Sequence, residues 1–259
     1  MFVIKYCRDW VAYFFMLAYW AVTSIFVSLV GSLLYIILPQ KYALVSGRFL
    51  IQKDFQFFIL LLKVTGLLIL EDEQLKKLAS RQGAMIVAPN HLALWDVVYI
   101  VAEVPALICI MKESILKNPL FGGQAGRLAG YIPVNSISQM IKLAKQCLVN
   151  NDQLLIFPEG TRTKTDAQWL NPIQGGVALL AKQTSVPVIP VFIRSNSRFF
   201  EKGWPLYKKP EFPLKLSINV AEPVFMQQSE TTQEFVQRLQ KIYIDELSRP
   251  HPLRRAPKQ

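Results

Sequence analysis

The sequence predicts an α/β domain, a mixed sheet flanked by helices, preceded by an N-terminal membrane helix or helical hairpin. Three observations predict it. No charged residue occurs from Trp10 to Gln40. Beyond about residue 70, short β-rich runs alternate with helical patterns, which is the texture of a sheet covered by helices. The 259 residues are 52% apolar and only 18% charged, with a mean hydropathy of +0.27. Soluble chains carry about a quarter charged residues, so this composition excludes a disordered or fibrous protein and disfavours a purely soluble one.

The anchor is Val11–Leu38, an uncharged run of 28 residues. A helix crosses a bilayer core with about 20 apolar residues, so this one tilts or lies partly in the interface. Trp10, Tyr13, Tyr19, Trp20 and Tyr35 supply aromatics suited to headgroup depth. A cleaved signal peptide would need a shorter run and a small-residue cleavage site, and neither is present. Phe55–Leu70 is apolar but interrupted by Gln56, Lys63 and Gly66, and reads as an interfacial helix or the return arm of a hairpin. Lys5 and Arg8 precede the first helix while Lys41 and Arg48 follow it, so a hairpin entering from the cytoplasmic face satisfies both flanks.

The later strands are expected at Ala84–Ala88, Ala106–Ile110, Leu154–Phe157, Pro187–Ile193 and Leu214–Val220. Ser136–Asn150 carries Ile137, Ile141, Ala144 and Leu148 on one helical face. A last helix spans Thr232–Leu247, and Thr231 with Glu234 reads as a capping box. The expected organisation is anchoring helices over 1–70, one catalytic-sized domain over 71–248, and a basic tail over 249–259 that reads as poorly ordered.

Lysines and arginines number 29 against 18 acids, a net charge of +11 that suits an anionic surface. No nucleic-acid recognition motif accompanies it, and the anchor assigns the basic surface to lipid. Cys7, Cys109 and Cys147 are too few and too scattered for a disulfide framework or a metal cluster. Of the two histidines, His251 lies in the tail, so imidazole chemistry falls to His91. A zinc site built from several histidines is excluded.

Asn90-His91-Leu92-Ala93-Leu94-Trp95-Asp96 follows the strand AMIVAP. On one helix, His91 and Asp96 would point about 140° apart and could not touch. With His91 in the turn before the helix and Asp96 in its first turns, the carboxylate reaches the ring and makes the far nitrogen a base. On spacing alone, a satisfied core histidine fits equally well. Phe157-Pro158-Glu159-Gly160-Thr161-Arg162 follows the strand QLLIF. Backbone N–H groups and an arginine fork at a strand end can bind a phosphate or another oxyanion. An ordinary turn with a Glu–Arg surface pair is the plainer alternative.

Together, NHLALWD at 90–96, GYIPVN at 130–135, FPEGTR at 157–162 and VPVIPV at 186–191 resemble the 1-acyl-sn-glycerol-3-phosphate acyltransferase (lysophospholipid acyltransferase) family. The resemblance covers about residues 64–225 and implies a glycerolipid acyltransferase-like fold. It implies that His91 is the general base and Asp96 its support. Glu159, Gly160, Thr161 and Arg162 become the acceptor-binding segment, with Arg162 on a phosphate. Pro187 and Pro190 are expected to shape the acyl site, or simply to pack. The implied reaction needs no metal or cofactor, and takes acyl-CoA or acyl-carrier protein as co-substrate. The implied partners are membrane lipid and a lysophospholipid acceptor, at the cytoplasmic face of a bacterial inner membrane.

One position departs from the family. Its second motif commonly ends in an arginine, and here that position is Asn135, which donates a hydrogen bond but carries no charge. Lys112 and Arg127 are nearby cations that can compensate, or are solvated surface charge. Another lysolipid or a specialised lipid therefore stays open as acceptor. A non-catalytic membrane adaptor is the reading of another class, disfavoured by the intact His91, Asp96 and FPEGTR.

Overall fold

The computed structural model describes residues 2–104, 107–118, 123–197, 199–205 and 207–253. Two helices come first, α1 (Phe2–Ile37) and α2 (Gln40–Val64), with Pro39 as the residue that caps α2. Proline cannot continue α1 and its fixed φ suits a helix start, so one residue ends one helix and begins the next. The chain continues through β1 (Leu68–Glu71), α3 (Glu73–Ala79), β2 (Met85–Pro89) and α4 (Asp96–Glu103). Next are β3 (Ile108–Lys112), α5 (Glu113–Leu116), α6 (Gly123–Leu128), β4 (Ile132–Val134), α7 (Ile137–Val149) and β5 (Gln153–Leu155). The last elements are α8 (Gly175–Thr184), β6 (Val188–Ser195), β7 (Leu214–Val220) and α9 (Thr232–Leu247).

The sheet has seven strands in the order β1-β7-β6-β2-β5-β3-β4. Every neighbouring pair is parallel except β6 and β7. The sheet is mixed, as expected. Alternation divides β2 between two cores: Met85 and Val87 join the first core, Ile86 and Ala88 the second. The first core is covered by α1, α2 and α4, the second by α7, α8 and α9. A strand buried on both faces explains why MIVAP shows no polar alternation.

The strands at 84–88, 154–157, 187–193 and 214–220 form within a few residues of expectation, as does the strand at 106–110, whose Ala106 lies outside the described residues. The capping box forms: Glu234 N–H donates to Thr231 Oγ1 at 3.2 Å, and Thr231 N–H donates to a Glu234 carboxylate oxygen at 2.8 Å. The tail from residue 254 lies outside the described residues.

Phe55–Leu70 is corrected. It is not one apolar element: α2 starts at Gln40, ends at Val64, and a turn at Gly66 feeds β1. β1 pairs with β7 from Leu68, so the sheet begins ahead of the boundary drawn at residue 70. β4 is the other unforeseen strand, and its Pro133 is tolerated because β4 is the sheet edge.

The helical pair is part of the core. Tyr13 and Met16 of α1 and Phe58 of α2 are fully buried against the sheet side, beside Trp95. Their other faces are exposed and apolar: Val11, Phe15, Val22, Phe26, Leu29 and Leu33 on α1, and Tyr42, Val45, Phe49, Phe57, Leu60 and Val64 on α2. Only 22% of the window Tyr6–Ile37 is buried, and that window is long and apolar enough to cross a membrane.

At Gly47, α2 meets α6 so closely that an added Cβ would lie 2.9 Å from the Leu128 carbonyl carbon. Arg48 Nε locks the same contact by donating to Ala129 O at 2.9 Å. Backbone cannot yield as a side chain does, so Gly47→Val should cost about 1–3 kcal/mol. Thermal unfolding against Gly175→Ala, whose Cβ meets nothing within 4 Å, measures it. Equal midpoints would show that the two helices separate freely.

Candidate active site

Parallel pairing brings the carboxyl ends of β6, β2, β5, β3 and β4 to one edge of the sheet, where α/β proteins place their ligands. β2 ends at Pro89, and the following loop is stitched to β6 by Asn90. Its Nδ2 donates to Ile193 O at 3.1 Å and its Oδ1 accepts from Ile193 N–H at 2.7 Å. Fully buried, Asn90 extends the strand ladder by one residue in side-chain form.

His91 lies in that loop and Asp96 opens α4. Nδ1 of His91 is 3.0 Å from Asp96 Oδ2, which also accepts from Ala93 N–H at 2.8 Å. A carboxylate can only accept, so the network assigns the ring proton to Nδ1 and a lone pair to Nε2. Nε2 has no protein partner among the described residues. The ring stacks on Phe157 with centroids 3.8 Å apart and stays 16% exposed, whereas Asp96 is 1% exposed. This is the arrangement expected of a turn histidine and a first-turn aspartate.

The FPEGTR segment cradles His91. Glu159 Oε1 accepts the His91 N–H at 2.7 Å, and Thr163 N–H donates to the His91 carbonyl at 2.6 Å. Both ends of the His91 peptide are therefore held by one loop. The Thr163 hydroxyl lies 2.9 Å from each Glu159 oxygen, and Asn171 N–H donates to Oε2 at 2.7 Å. Burial pushes the Glu159 carboxyl above its ordinary value, while these donors and His91 pull it back. The turn behind it needs Gly160, whose φ of 68° an L side chain rarely adopts.

The other expected residues are placed as follows. Arg162 Nη1 donates to Phe200 O at 2.7 Å and Glu201 O at 3.2 Å, leaving Nε and Nη2 unbonded among the described residues. Burial lowers its pKa, and the Asp96 charge raises it. Thr161 is half-buried beside it, without a hydrogen bond among the described residues. Lys112 and Asn135 are exposed at the ends of β3 and β4, neighbouring strands of the same edge. Strand spacing puts β4 about 14 Å from β2, and the structure bonds neither residue to His91 or Arg162. Asn135 Oδ1 accepts from Ser136 N–H at 2.8 Å. Arg127 is exposed at the end of α6.

Pro190 is part of β6, and Pro187 directly precedes it. The Pro187 carbonyl accepts from Ile86 N–H and the Pro190 carbonyl from Ala221 N–H, both at 2.9 Å. Alternation puts Pro190 with Val188 and Phe192, on the face of α9 and away from α4.

Thr163, Asn171 and Trp95 were missed by sequence reasoning. Thr163 directly follows FPEGTR, and that adjacency was the one available signal. Trp95 is 2% exposed, with its ring 4.9 Å from Phe58, 5.5 Å from Trp20 and 4.8 Å from Phe200. The two N-terminal helices thus pack directly beneath the residue preceding Asp96.

The model of the Acyltransferase family matches residues 69–194, which include all of this site except Trp20 and Phe58, the ring partners of Trp95 in α1 and α2, and the turn at Phe200. A 1-acyl-sn-glycerol-3-phosphate acyltransferase of Helicobacter pylori is 33% identical over 132 residues, covering 49% of this chain and 55% of that protein. One from Pseudomonas aeruginosa is 26% identical over 182 residues, covering 68% and 69%. The chain thus spans about half the length of the first relative. The crystal structure of a 1-acyl-sn-glycerophosphate acyltransferase, PlsC, from Thermotoga maritima is similar with a TM-score of 0.61 at 20% identity, covering 94% of this chain and 99% of that one. The fold is shared over nearly the whole chain. The segment that matches the Acyltransferase family model, residues 69–194, is the one that holds His91, Asp96 and the FPEGTR turn.

Proposed function

We propose that the chain is a membrane-associated acyltransferase. It moves a fatty acyl group from acyl-CoA or acyl-carrier protein to the free hydroxyl of 1-acyl-sn-glycerol-3-phosphate, giving phosphatidate. The observation that carries this reading is the 3.0 Å His91–Asp96 contact with Nε2 left free at the carboxyl edge. Nε2 takes the hydroxyl proton as the acceptor oxygen attacks the thioester carbonyl. The tetrahedral adduct collapses, the C–S bond breaks, and the imidazolium returns the proton to the departing thiolate. Asp96 stabilises the ring while it is charged. The chain's own groups carry these steps, with no metal and no cofactor besides the acyl donor. No Ser or Cys is bonded to the ring among the described residues, so the attack is direct.

The exposed apolar stripes of α1 and α2 support membrane association, which this reading assigns to the cytoplasmic face of a bacterial inner membrane. Their opposite faces pack on the domain, so the pair lies along the interface, apolar side down. Purified protein assayed against a panel of lysolipids with both donors, and read by lipid mass spectrometry, tests the reading. Transfer to none of them would revive the adaptor alternative.

The acceptor phosphate falls to Arg162, which keeps two nitrogens unbonded among the described residues and lies within the field of Asp96. Arg162→Ala should raise the Michaelis constant for lysophosphatidate one to two decades, the value of about 1.5–3 kcal/mol for a charged hydrogen bond. Asn135→Arg should lower it for lysophosphatidate and leave an uncharged lysolipid unaffected. The alternative, another lysolipid or a specialised lipid, is favoured by the uncharged Asn135. It leads if Arg162→Ala is tolerated while Asn135→Arg depresses every phosphorylated acceptor.

A further inference from the structure

We propose that the turn residues 202–205 and 207–209, clasped to the first turns of α1, form a docking surface for anionic lipid headgroups. It rests on the membrane association proposed above and adds the lipid charge that the protein selects. The turn lies beyond residue 194, where the family match stops. It is a built structure. Trp204 Nε1 donates to Lys208 O at 2.8 Å, Lys208 N–H donates to Pro205 O at 3.0 Å, and Lys208 Nζ sits 5.2 Å over the Trp204 ring. Two contacts clasp it to α1: Lys209 Nζ is 3.8 Å from the buried Asp9 and 5.6 Å from the Tyr6 ring.

The clasp fixes the turn's position relative to the apolar surface. Tyr6 and Asp9 lie within the one helical turn before Trp10, where the uncharged stretch begins, and Val11 opens the exposed stripe of α1. Beside that start, the turn exposes Tyr207 to 81%. Lys202 and Lys208 are exposed and have no ion pair among the described residues. Cations and a tyrosine bordering an apolar face match the headgroup layer of an anionic membrane, with the aromatic at the interface and the charges in the phosphates. An acidic carrier protein would match the charge but not the continuity with an exposed apolar stripe, so we commit to lipid.

The test is sedimentation of the full chain with vesicles of phosphatidylcholine, with and without phosphatidylglycerol, for wild type and Lys202→Gln/Lys208→Gln. Each lysine near an anionic surface contributes about fivefold in affinity. The double variant should bind phosphatidylglycerol vesicles about 25-fold more weakly and phosphatidylcholine vesicles unchanged, and high salt should erase the difference. Lys142→Gln/Lys145→Gln on α7, which loses the same net charge elsewhere, should bind like wild type. Equal binding by both double variants overturns the proposal, as does wild-type indifference to phosphatidylglycerol. So does a Lys202/Lys208 variant that keeps vesicle binding and loses turnover only with acyl-carrier protein. A wild type that binds neither vesicle overturns instead the membrane association on which the proposal rests.

Discussion

Replacing His91 with alanine should cut acyl transfer by about 10²–10⁴-fold, the usual contribution of a general base. The fold should survive, because the His91 peptide is held by its own N–H and C=O, bonded to Glu159 and Thr163 whatever the side chain. The variant should therefore keep its circular dichroism and its vesicle binding while losing turnover. Asp96→Asn is the companion. An amide in place of the carboxylate still fits beside Ala93 N–H and the ring, but it can no longer stabilise an imidazolium. Both substitutions should lower kcat far more than they change the acceptor's Michaelis constant. Wild-type turnover in His91→Ala would remove His91 as the base and assign the proton transfer to another group.

The His91–Asp96 pairing was legible in sequence because the helical period forbids it on one helix and permits it across a turn. α4 does begin at Asp96. The capping box was legible for the same kind of reason, since Thr231 and Glu234 contact each other over three residues. Long-range facts were not legible. Composition reports that α1 and α2 are apolar, but not that each has one face on the sheet and one exposed, because both faces use the same residue types. Nor does it report that Phe200 and Glu201 would supply carbonyls to Arg162 from 38 and 39 residues away. β1 was absorbed into the apolar run before it because a strand of four residues, Leu-Ile-Leu-Glu, has no periodicity to separate it from a helix end.

Glu159 shows how a motif residue can act without touching substrate. As a substrate ligand it would need a free oxygen, yet Oε1 faces His91 N–H, Oε2 faces Asn171 N–H, and the Thr163 hydroxyl reaches both. Its carboxylate is occupied by protein. Glu159→Gln keeps the shape but turns one acceptor into a donor, so either His91 N–H or Asn171 N–H meets an NH₂ group. A buried donor left without its acceptor costs about 1–3 kcal/mol, and the thermal midpoint should fall accordingly. One compensation acts the other way. Burial holds the Glu159 carboxyl above its ordinary value, so ionising it costs stability as pH rises through that raised value. The glutamine variant escapes that cost, and its deficit relative to wild type should widen as pH falls. The larger effect is on chemistry. Freeing one end of the His91 peptide displaces Nε2, and a misplacement of about 1 Å can cost roughly 10²-fold in rate. The expected result is kcat down by about that factor with the acceptor's Michaelis constant nearly unchanged. Thr163→Val should show the same split more weakly, and Thr163→Ser, which restores the hydroxyl, should recover it. A Michaelis constant that climbs while kcat holds would return Glu159 to the acceptor's binding site.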